Sequence, residues 1–426
     1  MNYTFLLKSL GCKVSQYDGA RIAEYLTGCG LRQAGDDEAP DLYILNGCAV
    51  TGRASQKVRQ ALRAVRRRWP AVKLVLAGCE ARLAEKRSPE DGDEPAVELD
   101  GALPYATALA VRELLEHLDL LRPDISDAGN EAHVPEELIG GERTRAFLKI
   151  QDGCTQFCAY CIVPHLRGPE TSRGRSELVD EARRIVATGR REIVVTGIHV
   201  GRYAYGLVGL LRDLSAIDGL DRIRLSSIEP VEVENDLIEW LATDPKACMH
   251  LHLPLQSGCD ETLRAMRRPY DAATFAALVG RLRVRMPDIG ISTDLIVGFP
   301  GESDDLFAAT LAFVERQAFS RIHIFRYSPR DGTPAATMPG QLSNAIKQAR
   351  AKAVEKAWKA SAASFHRRFV GRSLDVLWET QENGLWHGLS REYIPCRTVS
   401  DADLHNAITP AIVTAADPDG CTARIA

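Results

Sequence analysis

Phe147-Leu148-Lys149-Ile150-Gln151-Asp152-Gly153-Cys154-Thr155-Gln156-Phe157-Cys158-Ala159-Tyr160-Cys161 is a short apolar run that gives way, at a glycine, to a loop carrying three cysteines. The run reads as a β-strand and the glycine as its end, so Cys154, Cys158 and Cys161 fall on one tight loop at a carboxyl strand terminus. Thiolates spaced CxxxCxxC can hold three irons of a [4Fe-4S] cube and leave the fourth open. A structural zinc site would want a fourth ligand nearby, and no second CxxC completes a ribbon. Ile162 stands where covalent haem attachment needs histidine. Chance spacing of core cysteines is the competing reading, and the strand-then-loop context disfavours it.

Working outward, residues 143–340 contain six strand candidates: Phe147 to Ile150, Glu192 to Thr196, Arg222 to Ser226, His250 to Leu255, Ile291 to Val297 and Arg321 to Tyr327. Between them, Ser176 to Thr188, Tyr270 to Arg285 and Ser303 to Gln317 have helical periodicity, with Ser303 before Asp304 and Asp305 as a helix start. Six βα units make a partial barrel or an open parallel sheet, and either places chemistry at the carboxyl ends of the strands. Ser227, Gln256 and Asp294 are polar residues inside or just past strand runs, which makes them candidate ligand contacts. The stretch from Gly298 to Glu302 is equally well explained by turn and cap chemistry. His199, His250, His252 and His323 have no assigned role; each is ordinarily a hydrogen-bonded core or rim residue.

Upstream, residues 1–120 alternate strand-like runs (Tyr3 to Leu7, Leu42 to Leu45, Lys73 to Leu76) with helical stretches, the pattern of a small parallel α/β domain. Cys12, Cys48 and Cys79 each follow a glycine and lie just past one of these strands. If the strands are adjacent and parallel, the three thiols converge at one sheet edge, a second three-thiolate set. Glycine before each would let the backbone approach a bulky inorganic cluster. Cys29, Cys248, Cys259, Cys396 and Cys421 show no such pattern and read as small apolar residues. Ser88 to Asp100 reads as an acidic surface insertion and 121–142 as a linker. Residues 341–369 form a basic helical connector. Within 370–426, short strand candidates (Val376-Leu377-Trp378, Leu385-Trp386, Tyr393-Ile394, Arg397-Thr398-Val399, Ala411-Ile412-Val413) split by Asn383-Gly384 and Asp417 to Gly420 make a small β-barrel.

The 426 residues are 45% hydrophobic and 26% charged, which excludes a disordered or fibrous chain and suits a multidomain globular one. No apolar run approaches the ~18 residues of a spanning helix, no secretory signal opens the chain, and a cytoplasmic location is expected. The net charge of −4 conceals a segregation. Residues 80–142 carry 17 acids against 5 bases, a net of −12, so the remainder is +8. Arg53 to Arg68 holds seven bases and no acid, with Val58, Leu62 and Val65 on one helical face; Lys347 to Arg372 holds eight bases against Glu355. Each is either a solvated helix face or a phosphate-binding surface.

With Ser9-Leu10-Gly11-Cys12-Lys13-Val14, Asn46-Gly47-Cys48, Ala77-Gly78-Cys79, the CxxxCxxC loop, Arg224 to Pro230, His252 to Gly258 and Thr293 to Glu302 in hand, the chain resembles the radical S-adenosylmethionine methylthiotransferase family over essentially its whole length. Lys13-Val14 and Gly197-Ile198-His199-Val200-Gly201 resemble its MtaB branch. The resemblance implies an α/β protein: a small N-terminal domain, a partial (βα)6 radical SAM barrel and a TRAM-like C-terminal β-barrel. It implies two [4Fe-4S] clusters, one on Cys154, Cys158 and Cys161 that cleaves S-adenosylmethionine, the other on Cys12, Cys48 and Cys79 that delivers the methylthio group. Ser227, Gln256, Asp294 and backbone groups around Tyr160 are then the expected cofactor contacts. The implied substrate is N6-threonylcarbamoyladenosine at position 37 in a tRNA anticodon stem-loop, methylthiolated at carbon 2. A reductant such as flavodoxin or ferredoxin is implied too, with no membrane partner; the sulfur donor is not readable. The chain departs from the family at Ser15 and Gly47. Its 370–426 segment has 4 bases against 8 acids, which shifts expected phosphate contact to the two basic helices. The alternatives are a sister branch, which would favour Pro-Lys (ribosomal-protein aspartate) or Gln-Met (isopentenyl-adenosine) after the first cysteine, and a non-catalytic iron-sulfur RNA-binding or electron-transfer protein.

Overall fold

A computed structural model describes residues 3–35, 37–86, 97–121 and 144–426. The linker expected over 121–142 and most of the acidic insertion expected over Ser88 to Asp100 fall outside the described residues.

The first unit runs β1 (Thr4–Leu10), α1 (Lys13–Gly28), β2 (Arg32–Gln33), β3 (Leu42–Gly47), α2 (Gly52–Arg68), β4 (Lys73–Gly78), α3 (Cys79–Glu85), β5 (Gly101–Leu103) and α4 (Ala108–His117). Its five strands are all parallel, in the order β2-β1-β3-β4-β5. The middle strands are buried on both faces, which is why they read as unbroken apolar runs. Val58, Leu62 and Val65 of α2 are buried against the sheet, leaving Arg53, Lys57, Arg63 and Arg67 exposed.

The second unit runs β6 (Arg145–Asp152), α5 (Val163–Arg167), β7 (Thr171–Ser172), α6 (Arg175–Ala187), β8 (Glu192–Gly197), α7 (Leu207–Ser215), β9 (Arg222–Leu225), α8 (Asn235–Thr243), β10 (His250–His252), α9 (Asp260–Ala265), α10 (Ala272–Arg285), β11 (Gly290–Val297), α11 (Asp304–Gln317) and β12 (Arg321–Arg326). Ser303 caps α11, its side chain accepting from the Leu306 N–H at 3.2 Å. The β6-β8-β9 and β10-β11-β12 ladders are parallel and are joined by bridges Ile223 to Ala247 and Ser227 to His252. The result is a six-stranded parallel partial barrel, open between β6 and β12. Alternate residues (Ala146, Leu148, Ile193, Val195, Ile291, Leu295) pack outward against helices in the largest core. The other set faces inward.

α12 (Asn344–Arg367) leads to a closed barrel, β13 (Ser373–Glu382), β14 (Leu385–Ser390), β15 (Pro395–Thr398), β16 (Ile408–Asp417) and β17 (Gly420–Ile425), ordered β13-β14-β15-β17-β16. One expectation fails here. Tyr393-Ile394 is not a strand: Tyr393 has φ +67° and turns the chain before β15. The α12 region is a basic surface only in part: Lys352, Lys356 and Arg367 are exposed and make no ion pair among the described residues, while others are engaged. Lys347 and Arg350 are buried, Arg350 pairs with Glu302 and Asp304, Arg368 and Arg372 pair with Asp288, and Lys359 pairs with Glu355. Long basic side chains here bury their stems and neutralise local acids, a use that composition alone does not distinguish from phosphate binding.

The first unit straddles the barrel's open side. α1 meets β6 and α6 through Tyr17, whose hydroxyl donates to Glu181 at 3.0 Å and accepts from Arg173 at 2.7 Å. At the other lip, the Gly52 N–H donates to Ser328 Oγ (3.1 Å) and Arg330 donates to Ser55 Oγ (3.2 Å).

Candidate functional site

Parallel pairing sets Leu10 beside Gly47 and Gly47 beside Gly78, so the three chain reversals share one sheet edge. Cys12 caps α1, Cys48 follows β3, and Cys79 opens α3. Cys48 feels the charges of both Cys12 and Cys79, which places the three thiols together. Two of the preceding glycines make room for neighbouring protein, whereas a Cβ on Gly11 would lie 2.9 Å from Ser15 and 3.0 Å from Cys48 Cβ. A Cβ on Gly47 would lie 2.9 Å from Glu80 Cβ and 3.0 Å from a Val58 methyl, and Gly78, at φ +75°, would collide with Asn46 Oδ1 at 2.2 Å. Tight crossing of β3 by α2 and α3 demands them.

The second set follows β6. Gly153, at φ +78°, leaves no space for a side chain beside Pro169, and Phe157 turns the loop at φ +48°. Cys161 feels Cys158 and Cys154. Burial pushes the Cys161 thiol up to about 12 and the Cys48 thiol up to about 11, so without a cation these sulfurs keep their protons. Yet N–H donors converge on the sulfurs: Arg268 Nη1 on Cys158 (3.2 Å), Arg167 Nε on Cys79 (3.3 Å) and the Gln156 N–H on Cys154 (3.4 Å), with His199 Nδ1 3.5 Å from Cys154. Three sulfurs plus aimed donors suit thiolates bound to iron, and the residues fit two three-cysteine clusters.

The two sets lie across one interface. Ala49, Cys79 and Leu83 pack with Ile162 and Leu166 just after the CxxxCxxC loop, an apolar contact that excludes water. Beside it Arg167, 2% exposed at its side chain, forks onto Asp152 with both bonds 2.8 Å, reaches Asp18 at 3.1 Å and touches Cys79. Lys149 pairs with the same two aspartates. One guanidinium thus ties α1, α3, β6 and α5 together.

Arg268, also 2% exposed, pairs with Glu229 and donates to Tyr270 (2.9 Å) and Tyr160 (3.4 Å) as well as to Cys158. Burial works against charge on His199, but its contacts to Cys154 and to Glu232, 2.7 Å away, hold the imidazolium up to about 9. The reading of the sequence missed Arg167, Arg268, Glu232 and the position of His199. Glu229 and His199 lay within stretches already singled out, Arg224 to Pro230 and Gly197 to Gly201.

Ser227 bridges to His252 just past β9, and Gln256, at φ +65°, bridges to Leu295 beside β11. The Gln256 side-chain amide has no hydrogen bond among the described residues. Asp294 is less free than expected: its Oδ1 lies 3.3 Å from His252 Nε2, with His323 close by. Tyr160 packs among Ala159, Met266, Ile296, Phe299 and Tyr327, and the Ala159 backbone before it is already bonded to Met266 and Ala335.

Comparison with known proteins fits this geometry. Residues 148–314 match the radical SAM superfamily, and residues 4–97 match "uncharacterized protein family UPF0004". The threonylcarbamoyladenosine tRNA methylthiotransferase MtaB of Thermotoga maritima is 34% identical over 88% of this chain and 86% of its own length. MtaB of Bacillus subtilis is 33% identical over 92% and 89%. The tRNA-2-methylthio-N(6)-dimethylallyladenosine synthase of Novosphingobium aromaticivorans is 34% identical over 99% and 97%. Among solved structures, the cobalamin- and [4Fe-4S]-bound radical S-adenosylmethionine methyltransferase TsrM of Kitasatospora setae shares the fold, with TM-score 0.52 and 16% identity over 79% of this chain and 77% of its own.

Proposed function

This chain belongs to the radical S-adenosylmethionine methylthiotransferases, and from that premise we propose that it methylthiolates carbon 2 of N6-threonylcarbamoyladenosine at position 37 of tRNA. S-adenosylmethionine and [4Fe-4S] chemistry come with the family. Relatives named for threonylcarbamoyl and for dimethylallyl substrates are about equally similar, so the choice between them rests on the barrel's interior. The observation that carries it is the polarity of that interior. Register and hydrogen bonds put Glu192, His250, His252, Ser292, Asp294 and His323 on inward faces. Most of these groups are already paired within the wall, but His323 makes no hydrogen bond among the described residues; a threonylcarbamoyl group offers it one and a dimethylallyl group does not. Lys13-Val14 after the first cysteine supports the same branch.

In this reading Cys154, Cys158 and Cys161 hold one cluster, and Cys12, Cys48 and Cys79 hold the other. When bound, they supply reductive cleavage of S-adenosylmethionine and the sulfur that is transferred. The protein's own work is placement. Arg268 and His199 direct positive charge at Cys158 and Cys154, Arg167 does so at Cys79, and the Ile162, Leu166 and Leu83 contact keeps water from the passage between the sets. Ser227, Gln256 and the Tyr160 backbone remain the contacts proposed for S-adenosylmethionine. Asp294, although paired with His252, stays among these proposed contacts. Phosphates of the tRNA are assigned to the exposed bases of α2, and reducing equivalents to a flavodoxin or ferredoxin. Among the described residues, no helix is long and apolar enough to cross a membrane.

Nucleoside mass spectrometry of tRNA from cells with and without the gene tests the reading. The 2-methylthio derivative of threonylcarbamoyladenosine should vanish in the deletion and return with the gene. Loss of the dimethylallyl derivative instead would move the chain to the sister branch.

A further inference from the structure

The inward face of the barrel carries more cations than its own carboxylates neutralise. Lys149 has Asp18 and Asp152, Arg145 has Glu379, and Arg222 and Arg224 share Glu192. Two are left over. Arg321 opens β12, paired in register with Ser292 and two residues before His323, which puts it on the same inward face as His323. Lys13 follows Cys12 at the start of α1. Both are half-buried, and neither makes a hydrogen bond or ion pair among the described residues.

Their charges nonetheless converge. Both act on His323 and on Tyr393, and Lys13 acts also on His250 and Asp294, residues of three different strands. The space those residues share is the barrel interior. Its wall is continuous: Ser292 Oγ lies 2.8 Å from His250 Nε2 and 2.9 Å from His252 Nδ1, and the His252 and His323 rings are 5.5 Å apart. Tyr393, from the C-terminal barrel, stacks on His250 at 4.4 Å and forms the floor. His252, Asp294 and His323 are close enough to hold a metal ion, but two fixed positive charges facing them disfavour a cation and favour an anion.

We propose that Lys13 and Arg321 form a carboxylate-binding subsite at the base of the barrel, which on the substrate reading above receives the threonyl carboxylate of N6-threonylcarbamoyladenosine. Neither cation makes an ion pair among the described residues, and Asp294, the carboxylate that feels Lys13, is already paired with His252, so a guanidinium and an ammonium here lose little on meeting a further carboxylate. The subsite makes Arg321 and Lys13 the residues that separate an acidic N6 substituent from an apolar one. S-adenosylmethionine also carries a carboxylate, so the test must separate the two sources.

Four synthetic anticodon stem-loops are needed, bearing threonylcarbamoyladenosine, its methyl ester, dimethylallyladenosine or unmodified adenosine, with the reconstituted full-length enzyme, Lys13→Met, Arg321→Met and Arg321→Lys. The wild type should bind the acid at least about tenfold more tightly than the ester. Both methionine variants should bind acid and ester alike, while Arg321→Lys keeps part of the preference. Binding of the unmodified stem-loop, and 5′-deoxyadenosine release without RNA, should stay within about twofold, which also reports that the variants are folded and loaded. Equal binding of acid and ester by the wild type overturns the proposal, as does retained discrimination in both methionine variants. A loss of S-adenosylmethionine affinity in the variants with discrimination intact overturns it too, by assigning the subsite to the cofactor. Turnover of dimethylallyl- but not threonylcarbamoyl-adenosine by the wild type is a different result: it refutes the substrate reading, whereas turnover of the acid without acid-ester discrimination refutes the subsite alone.

Discussion

Replacing Arg167 by methionine keeps most of the side chain's bulk and removes its charge. It deletes the two 2.8 Å bonds to Asp152, the 3.1 Å bond to Asp18 and the 3.3 Å contact to Cys79. The guanidinium is 2% exposed and Asp18 is 7% exposed at its side chain, so Asp18 is left away from water beside Asp152, which is 22% exposed. Removing one partner of a buried ion pair costs about 3–5 kcal/mol; Lys149, which reaches both aspartates, brings the expectation to the lower end, about 3 kcal/mol. Because these bonds join the first unit to the barrel, the cost should appear as local opening. Amide hydrogen exchange of the apoprotein should show α1 and α5 losing protection while β8 and β11 keep theirs. In the loaded enzyme, S-adenosylmethionine cleavage without RNA should stay within about threefold, but methylthiolation should fall by about a hundredfold, since misplacement by about 1 Å costs that much. Adding Asp18→Asn should recover about 1 kcal/mol in a double-mutant cycle. Unchanged exchange in α1 and α5 together with full methylthiolation would refute the role given to Arg167.

Cys12→Ala should abolish thiolation while leaving 5′-deoxyadenosine production measurable, and Cys158→Ala should abolish both; full product from Cys12→Ala would end the two-cluster reading. Burial opposes ionisation of Glu192, but Arg224 foremost, with Arg145 and Arg222, holds its carboxyl below the usual range. Its stabilisation is therefore present above the ordinary carboxylate range and lost as pH falls through the depressed value. Glu192→Gln should cost about 3–5 kcal/mol in urea unfolding at pH 7, a gap that narrows below about pH 4; a gap independent of pH would show that Glu192 does not carry it. Arg63→Ala and Arg67→Ala, on the exposed face of α2, should each weaken tRNA binding and reduce the slope of log K against log salt by about 1. A slope that does not move would take phosphate contact off α2.

Much of this protein is legible in local spacing. Alternating apolar runs mark the N-terminal strands and the six of the barrel, because a parallel strand covered on both faces must be continuously apolar. Asn383-Gly384 marks the β13-β14 turn, both residues adopting positive φ, at 51° and 79°. The CxxxCxxC loop carries its chemistry within eight residues. The N-terminal cysteines needed one further assumption, that their strands lie side by side, and the pairing of β1, β3 and β4 meets it. What stayed hidden depends on partners remote in the chain. Tyr393 looked like strand and is a turn, since its role is to stack on His250 of another unit. Lys347 and Arg350 looked like RNA contacts and are buried against α11 and the loop before it.

By itself, then, the sequence determined the order of strands and helices, because this follows from periodicity and from residues near one another in the chain; the two sets of three cysteines and their chemistry entered as expectations, carried by spacing and by the resemblance to a family. Only the tertiary structure decided that Arg167 reaches Cys79 across 88 positions and that Arg268 reaches Cys158 across 110. Side-chain electrostatics acts over a few ångströms of space, and folding, not chain order, sets which charges come that close.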